Sequence, residues 1–387
     1  MTKAKLLLIS GISPFPQTSG GATRMKQTLL HLSKKYEIYF YFFLADDQPL
    51  TAEDKAFLNQ QTVFYQTFSF CQKSILTSLK QGIPYHLSNY FSLPLIQELQ
   101  QTLNNCSFSK IRIETTQLLY LAKYLKTRQL DEFVALDIST VSFYRRAFAS
   151  KNPLQILIRL FSCLQVYFYE KNLLKYFSKV LVMSRKDAFF IKKLFNLDQT
   201  EISPNGIEKI DFLAPRNKEK LAIGFLGSVE HTPNKKALDF LLLKILPALQ
   251  LEQIDCEVLI LGKNNHLFYQ NLANVEFIDY IDDLRNFYAK IDLLAAPIFA
   301  GSGTRLKILE SLSYGRPVIT TEIGAEGIEI ESKLLSVINV HQQNNVKNWT
   351  KSIRNLFDEY KNKSIQIELD KLKQELYNFL WSKIFKE

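Results

Sequence analysis

The chain has 387 residues, of which 47% are hydrophobic and 22% are charged, so it can bury a large core and global disorder is excluded. At about 100–200 residues per domain, this length predicts two or three domains. The 48 lysine and arginine residues exceed the 38 acidic residues by a formal +10. Such an excess favours anionic partners: nucleic acid, membrane headgroups or phosphorylated ligands.

The basic excess lies entirely in the N-terminal half. Residues 1–205 contain 25 Lys and Arg against 14 Asp and Glu, a net charge of +11. Residues 206–387 contain 23 against 24, a net charge of −1. The sequence contains no long block of like charge, which argues against a disordered tail that binds nucleic acid.

Neither the cysteines nor the apolar runs indicate export or membrane insertion. The four cysteines lack CxxC or metal-like spacing, so we expect buried thiols in a reducing compartment. The apolar run at residues 6–9 is too short for a signal-peptide core. The run at residues 154–169 is interrupted by polar residues and is shorter than the roughly 20 residues of a spanning helix. We therefore expect a cytoplasmic protein without a transmembrane segment.

The first half of the chain begins as a doubly wound α/β sheet. Its apolar pattern predicts a buried strand at residues 5–10, a loop rich in Gly, Pro and Ser at 11–21, a helix at 24–35 and a strand at 36–44. Further along, it predicts strands at residues 110–114, 133–137 and 179–183, and an amphipathic, aromatic-rich helix at 154–177.

The pattern restarts near residue 221, which is the main reason to predict a second α/β domain. The predicted strands are at residues 221–226, 256–262, 275–278, 293–297, 317–321 and 335–338, and the predicted helices at 237–249 and 305–314. A turn-rich stretch at residues 203–215 is the predicted seam. From residue 345 onward the chain is predicted to be helical and charged. Two such domains predict a ligand cleft between them, beyond the carboxyl ends of the strands.

The most informative segment is residues 297–319: a predicted buried strand, a glycine loop, a helix N-terminus, and a Gly-Arg-Pro turn into another strand. The loop at 301–304 lets the backbone approach a ligand, and the helix N-terminus offers N–H groups with a partial positive charge. Arg305 and Lys307 add two cations, so the ensemble suits a diphosphate. Glu310 could accept hydrogen bonds from sugar hydroxyls. The alternative is a plain β-loop-α unit with a solvated Arg and Lys.

This segment closely resembles the donor-site signature of glycosyltransferase family 4, retaining enzymes among the group 1 glycosyl transferases. Further short matches follow in the family's order over most of the chain: Gly20-Gly21 with Arg24, residues 180–184, Ser203-Pro-Asn-Gly206, Phe225-Leu-Gly-Ser228 with Pro233-Asn234, and Gly324-Ala-Glu-Gly327. The resemblance implies the GT-B fold, with two Rossmann-like domains whose parallel sheets face across a cleft. We place an acceptor-binding domain at residues 1–205 and a donor-binding domain at 206–367. We expect a C-terminal helix at about residues 368–387 to pack back on the first domain.

The resemblance also implies roles for individual residues. Gly20 and Gly21 would face the donor phosphates. Arg305 and Lys307 would neutralise the diphosphate, where charge develops as the glycosidic bond breaks. Glu310 matches the second Glu of the family's Glu-x7-Glu motif and would bind the ribose of the nucleotide.

Four further positions complete the predicted donor site. Gly303 and Thr304 would supply backbone contacts, and Gly227 belongs to the match that opens the second domain. The first Glu of the motif falls at Ser302, which lacks the charge that contacts the donor sugar in the family. The Gly-Ser-Gly backbone could contact the sugar instead. The identity of the donor sugar therefore stays open.

Three residues outside the signature carry two interpretations each. Asp137 ends an apolar run and could orient the acceptor or act as a weak base, or it could cap the following helix. Glu114 has the same two interpretations, with the local one favoured. His231 follows Gly227 and could contact the donor or its leaving phosphate, or it could be a solvated loop residue.

The sequence thus predicts transfer of a sugar from a nucleoside-diphosphate sugar to a glycan or lipid-linked acceptor with retention of configuration. No histidine pair has ligand spacing such as HExxH, and the resemblance implies metal independence, so no cofactor or metal is expected. The basic and aromatic residues at 73–90 and 145–193 could rest on an anionic membrane, as envelope polysaccharide or lipopolysaccharide assembly would require, or be a solvated surface. Nucleic acid is not an expected partner. Two alternatives remain: an inactive sugar-nucleotide-binding protein, and another GT-B enzyme such as an epimerase or phosphorylase.

Overall fold

The computed structural model describes most of the chain, namely residues 3–17, 19–125, 130–148, 152–216, 220–263, 265–269, 272–300, 303–339, 341–342, 344–361 and 365–385. The chain divides into two compact units. The N-terminal unit comprises Met1–Pro204 with Phe385–Glu387, and the C-terminal unit comprises Asn205–Ile384.

The N-terminal unit is built on a seven-stranded sheet with the order β3-β2-β1-β4-β5-β6-β7, in which every paired strand runs parallel. Its strands are β1 (Ala4–Ser10), β2 (Tyr36–Phe43), β3 (Phe64–Phe68), β4 (Lys110–Glu114), β5 (Leu130–Ala135), β6 (Phe177–Val182) and β7 (Thr200–Ile202). Its helices are α1 (Gly20–Leu32), α2 (Ala52–Gln61), α3 (Ile75–Gln81), α4 (Leu93–Asn105), α5 (Leu121–Leu125), α6 (Ser139–Phe148), α7 (Pro153–Leu173) and α8 (Arg185–Phe195), with 3₁₀ turns at Tyr85–Tyr90, Thr116–Leu118 and Leu174–Tyr176.

The C-terminal unit is built on a six-stranded parallel sheet with the order β10-β9-β8-β11-β12-β13. Its strands are β8 (Leu221–Leu226), β9 (Cys256–Leu261), β10 (Val275–Ile278), β11 (Leu293–Ala296), β12 (Val318–Thr321) and β13 (Leu335–Ile338). Its helices are α9 (Thr232–Phe240), α10 (Leu246–Leu251), α11 (Leu284–Lys290), α12 (Leu306–Ser313), α13 (Val346–Lys361), α14 (Ile365–Tyr377) and α15 (Trp381–Ile384), with a π turn at Leu241–Ile245 and a 3₁₀ turn at Asn265–Leu267.

Both sheets have the doubly wound pattern that the sequence predicts. In each, the first strand pairs with one neighbour on either side, β1 with β2 and β4, and β8 with β9 and β11. The chain therefore winds outward in both directions from a switch point. In sheets of this kind, ligands generally bind at the carboxyl ends of the strands at that point. The two predicted α/β domains with parallel sheets are confirmed. Among the described helices, none has the length and apolar character to cross a membrane.

The structure differs from the sequence prediction at the C-terminus. Helix α14 buries Leu369, Leu372 and Leu376 in the core of the C-terminal unit and belongs to that unit. Of the predicted helix at about 368–387, only the last described residue, Phe385, belongs to the N-terminal unit, where its ring stacks on His31 with centroids 5.2 Å apart. The regular apolar spacing of α14 supplies a full buried face, and the sequence does not reveal which core receives it.

The start of α1 also differs from the prediction. The helix begins at Gly20, so both glycines lie in its first turn and not in a preceding loop. The Ser19 hydroxyl caps the helix by accepting a hydrogen bond from the Ala22 N–H at 3.2 Å. A first turn without large apolar residues lacks the periodicity that predicts a helix, although its N-cap serine is a start signal.

The Gly-Arg-Pro turn before β12 is anchored by Arg316, which is almost completely buried. Its Nε donates to the carbonyl of Tyr288 at 2.8 Å and its Nη2 to the carbonyl of Ala214 at 2.9 Å, while Nη1 donates to the Tyr360 hydroxyl. One guanidinium therefore satisfies acceptors from three separate segments of the C-terminal unit.

We expect Arg316→Leu to destabilise this unit by about 3–5 kcal/mol, because the buried acceptors of Tyr288, Ala214 and Tyr360 lose their donor. At about 2–4 °C per kcal/mol, the melting temperature should fall by roughly 6–20 °C. The matched control is Arg354→Leu, which removes an exposed ion pair with Glu252 (2.7 Å) and should cost about 1 kcal/mol or less. Calorimetry of the two variants checks the difference, and equal melting temperatures would contradict it.

Candidate functional site

In the C-terminal unit, the predicted donor residues that the structure describes lie at the switch point of the sheet. The turn after β8 contains Gly227 and leads to His231 at the start of α9. The segment after β11 leads to Arg305 at the start of α12. Because β8 and β11 are parallel neighbours, their carboxyl ends lie side by side, and so do the two loops.

Lys307 connects these two loops. Its Nζ donates to the carbonyl of Leu226, the last residue of β8, at 2.5 Å, and to Oδ1 of Asn234 in α9 at 3.2 Å. The ammonium group also lies over the ring of Phe225, 5.3 Å from its centroid. Burial lowers the pKa of Lys307 to about 8, with a further lowering from the positive charge of Arg305 and an opposing effect of Glu310. The cation is therefore held away from bulk water. In this less polar environment its attraction for an anion is stronger than it would be in water.

The turn after β8 is fixed by two asparagines that the sequence analysis did not assign to the site. Asn234 donates through Nδ2 to the carbonyl of Ser228 at 3.1 Å, while its Oδ1 accepts from Lys307. Asn265 donates to the carbonyl of Gly227 at 2.9 Å. Gly227 has φ +146°, and a Cβ there would lie 2.6 Å from Asn234 Nδ2, so only glycine fits. The sequence signal was present, since Pro233-Asn234 forms part of the family resemblance.

The start of α12 presents a polar backbone to the same region. Gly303 has φ +80°, a left-handed conformation that favours glycine. The carbonyl of Thr304 accepts a hydrogen bond from Asn205 Nδ2 at 3.4 Å, which ties the Ser-Pro-Asn-Gly segment to this loop. The Thr304 Oγ1 is buried and has no hydrogen-bond partner among the described residues. Arg305 is the N-cap residue, and the N–H groups that follow it carry the partial positive charge of a helix start.

Glu310 lies three residues after Lys307, and therefore on the same face of α12. Burial raises its pKa to about 7; the positive charge of Lys307 opposes this shift, and the negative charge of Glu208 adds to it. Two groups on one helix face thus have pKa values shifted towards each other, a pattern that is concentrated at functional sites.

His231 lies close to the same cations, although its side chain is exposed. It is the N-cap residue of α9 and makes no side-chain hydrogen bond to that helix. Its pKa is lowered by desolvation, and further by the positive charges of Lys307 and Arg305. The structure therefore brings together Gly227, His231, Thr304, Arg305, Lys307 and Glu310. Their individual roles in binding and catalysis stay predictions. Ser302, with Gly301, lies outside the described residues.

In the N-terminal unit, Gly20 and Gly21 lie at the start of α1, which follows the switch-point strand β1. Arg24 in the same helix is almost completely buried, and it donates to the carbonyl of Pro204 at 2.7 Å and the hydroxyl of Ser203 at 2.9 Å. Burial lowers its pKa to about 10. Arg24 therefore connects the glycine-bearing helix to the last residues of this unit. The predicted contact of the two glycines with donor phosphates stays a prediction.

Asp137 follows β5 and accepts hydrogen bonds from the hydroxyls of Ser142 at 2.8 Å and Ser139 at 3.4 Å. The backbone at the start of α6 is capped by Glu170 of α7, which accepts from the N–H groups of Ser139 (3.0 Å) and Thr140 (2.9 Å). Burial raises the pKa of Glu170 to about 7, and the negative charge of Asp137 adds to this. The role of Asp137 towards an acceptor stays a prediction.

Glu114 is fully buried beside Arg112, with Oε1 and Nε 3.1 Å apart. This ion pair within β4 is neither of the two roles considered from the sequence, which stay predictions. Among the described residues, no group of three or more His, Cys, Asp and Glu side chains could hold a metal ion. The expected independence of metals and cofactors stays a prediction.

Comparison with known families decides the class of the C-terminal unit. Residues 220–359 match the family model of Glycosyl transferases group 1. This unit is a group 1 glycosyltransferase domain. The match extends from β8 into α13 and includes every predicted donor residue of the C-terminal unit. It confirms the predicted family at this level and the predicted enzyme class, while membership of family 4 stays a prediction. No curated protein has significant sequence similarity to this chain.

Solved structures of glycosyltransferases resemble the whole chain. Sucrose-phosphate synthase from Thermosynechococcus elongatus is 12% identical, with TM-score 0.69, over 98% of this chain and 96% of that chain. Anabaena HepE, in complex with UDP and glucose, is 13% identical, with TM-score 0.65, over 99% and 97%. WaaG, a glycosyltransferase involved in lipopolysaccharide biosynthesis, is 15% identical, with TM-score 0.63, over 98% of each chain. At these identities the likeness shows the fold, and the predicted GT-B class is confirmed.

We expect the Lys307 ammonium to titrate near pH 8, well below the ordinary lysine value, because it is desolvated and lies beside Arg305. Reductive ¹³C-methylation followed by NMR titration measures this value, and Lys307→Arg identifies the resonance by deleting it. Glu310→Gln should lower the pKa of Lys307 further, since it removes a stabilising negative charge. A pKa of Lys307 above 10, or a rise in the Gln variant, would contradict this description of the site.

Proposed function

We propose that this protein is a retaining glycosyltransferase that transfers a sugar from a nucleoside-diphosphate sugar to a glycan or lipid-linked acceptor in the assembly of envelope polysaccharide or lipopolysaccharide. The observation that carries the proposal is the position of Lys307. Its desolvated ammonium lies at the carboxyl end of β8, beside the N-terminus of α12 and three residues before Glu310. A diphosphate needs positive charge of this kind, and a ribose needs a hydrogen-bond acceptor such as the Glu310 carboxylate.

The proposed chemistry requires no protein nucleophile. As the bond between the anomeric carbon and the donor phosphate breaks, negative charge grows on the phosphate oxygen, and Lys307, Arg305 and the N–H groups of α12 stabilise it. The acceptor hydroxyl attacks the anomeric carbon from the face that the phosphate leaves. Its proton passes to the departing phosphate oxygen. Configuration is retained, and the products are the glycosylated acceptor and the nucleoside diphosphate.

Uridine nucleotides are the first donors to test. Anabaena HepE, which shares the fold, forms complexes with UDP and glucose and with UDP-glucose. WaaG is involved in lipopolysaccharide biosynthesis, which supports an envelope acceptor here. We further propose that the protein works on the cytoplasmic side of the membrane and contacts it peripherally, since the net +11 of residues 1–205 favours anionic lipid.

We expect UDP-glucose or a related UDP-sugar, at about a hundred times its Kd, to stabilise the protein by roughly 2.7 kcal/mol. The melting temperature should then rise by about 5–10 °C. Lys307→Ala should lower kcat/KM for donor hydrolysis or transfer by about 10²–10³-fold, since it removes a preorganised cation at the leaving group. The control is Lys244→Ala, an exposed lysine on the π turn. Nucleotide binding without turnover on any donor would favour an inactive binding protein instead.

Donor binding should have a pH optimum between about 7 and 8. Glu310 is mostly ionised above its raised pKa of about 7, and Lys307 is mostly protonated below its lowered pKa of about 8. Both groups therefore carry the charge that donor binding needs between these two values. Affinity for UDP-glucose, whose diphosphate does not titrate in this range, should therefore fall on both sides by at most tenfold per pH unit. Calorimetric titration measures it. Glu310→Gln should remove the acid limb and leave the alkaline one, and an unchanged acid limb would refute the assignment.

A further inference from the structure

A continuous apolar face runs along the outside of α7 in the N-terminal unit. Six large apolar side chains are between 55% and 65% exposed: Leu154, Leu157, Ile158, Phe161, Leu164 and Phe168. They recur at helical spacing, and at about 100° per residue they fall within an arc of about 120°. No charged residue lies within this arc, because the nearest cations in sequence, Arg159 and Lys171, project to its sides.

The helix itself is well fixed, so the exposed face is a property of the folded unit. Cys163, Val166, Tyr169 and Leu173 on the opposite side are buried. The side chain of Asn152 caps the first turn by accepting from the N–H groups of residues 154 and 155, at 3.0 and 3.3 Å.

Helix α3 extends the apolar face. Its residues Ile75, Leu76 and Leu79 are 60%, 72% and 58% exposed. A groove of about 410 Å³ separates it from α7, with Leu79 on one side and Phe168 on the other. We call the exposed apolar side chains of α3 and α7 the docking face. Exposed apolar patches of this extent mark interaction sites in soluble proteins.

The segments that form the docking face are basic. Residues 71–97 and 138–169, which include α3, α6 and the part of α7 up to Tyr169, contain no Asp or Glu, and the next residue of α7, Glu170, is buried. Their described cations are Lys73, Lys80, Arg145, Arg146 and Arg159. The Arg146 guanidinium stacks on Phe143 at 4.4 Å, and Arg159 Nη1 donates to the Arg146 carbonyl at 2.9 Å, so these cations are held at the edge of α7.

We propose that the docking face binds an anionic lipid bilayer, with its apolar side chains in the boundary between headgroups and acyl chains and its cations on the headgroups. An apolar face with a basic rim is the combination that interfacial helices use. A second copy of the chain fits less well, because a symmetric pairing of this face would bring like charges together. The proposal rests on the proposed peripheral location and not on the proposed reaction.

The test is flotation of the full-length protein with vesicles of phosphatidylcholine alone, and with about 30% phosphatidylglycerol, at low and high salt. We expect binding to the anionic vesicles only. Leu157→Gln/Phe161→Gln/Leu164→Gln should lower the partition coefficient by at least about tenfold, since three apolar side chains leave the bilayer. The control Leu251→Gln/Ile367→Gln changes two apolar residues of the C-terminal unit that are even more exposed, and it should bind like wild type. Lys80→Gln should weaken binding by about fivefold at low salt and much less at high salt.

Two results would overturn the proposal. One is that the wild-type protein floats with the anionic vesicles at neither low nor high salt. The other is that the triple variant and the control float equally. If wild type sediments as a dimer that the triple variant converts to a monomer, with flotation unchanged, the face is a self-association surface and the proposal is wrong.

Donor binding separates this proposal from the proposed function. The triple variant should show the same thermal shift with UDP-glucose as wild type, because none of its residues belongs to the donor site. A protein that floats as expected but shifts with no nucleotide sugar keeps the docking face and loses the proposed reaction. A protein that shifts but never floats does the reverse.

Discussion

The proposed donor site of the C-terminal unit depends on one ammonium group that is kept away from water. Lys307 belongs to α12, but its Nζ binds the last carbonyl of β8 and the side chain of Asn234 in α9. Three elements therefore have to be packed correctly before this charge is in place. Removal of a cation from water is costly, as the lowered pKa of Lys307 shows, and no carboxylate of the described residues forms an ion pair with the ammonium. An anionic ligand would return the missing counter-charge, which supports the proposal that the site binds a phosphate.

Glu310 makes the arrangement more specific. A carboxylate closer to Lys307 would neutralise it and compete with the ligand. At three residues along the helix, Glu310 raises the pKa of Lys307 only partly, while its own pKa is raised to about 7. The two groups can therefore act on different parts of one ligand, the cation on phosphate and the carboxylate on hydroxyls. A nucleoside diphosphate presents both at a short distance, which a simple phosphate does not.

The sequence predicts the fold well where each element carries its own signal. Strands β8, β10 and β13 have the predicted bounds because their apolar runs end at turn residues. Strands β3 and β7 were not predicted: Gln66 and Thr67 interrupt the first, and the second is a three-residue edge strand. Helices α1 and α9 start earlier than predicted because Gly20-Gly21 and Thr232-Pro233 lack apolar periodicity. The placement of α14 could not be predicted, since an apolar helix face does not identify its partner.

For the candidate site, the sequence identifies which charged residues lie near one another along the chain, but it does not show their burial or their tertiary contacts. Arg305, Lys307 and Glu310 share one short segment, so the sequence alone suggested a diphosphate site. The positions of Asn234 and Asn265 depend on the pairing of β8 with β9 and β11, which brings together residues far apart in the chain. The opposite pKa shifts of Lys307 and Glu310 likewise arise from burial, which only the folded unit defines. Residue identity therefore suggests the class of ligand, while tertiary packing determines how far the charges are desolvated.

The distribution of charge between the units has a physical consequence. The C-terminal unit has nearly balanced charge, so any affinity for phosphate has to come from a few desolvated groups, which act at short range and select by geometry. The N-terminal unit has a net charge of +11 over residues 1–205, and its exposed cations act over about a Debye length, 8–10 Å at physiological salt. Such a field attracts any anionic surface without selecting among ligands. In the proposed membrane contact, the exposed apolar side chains of α7 would add the selectivity that charge alone lacks, because a bilayer can solvate them and a soluble polyanion cannot.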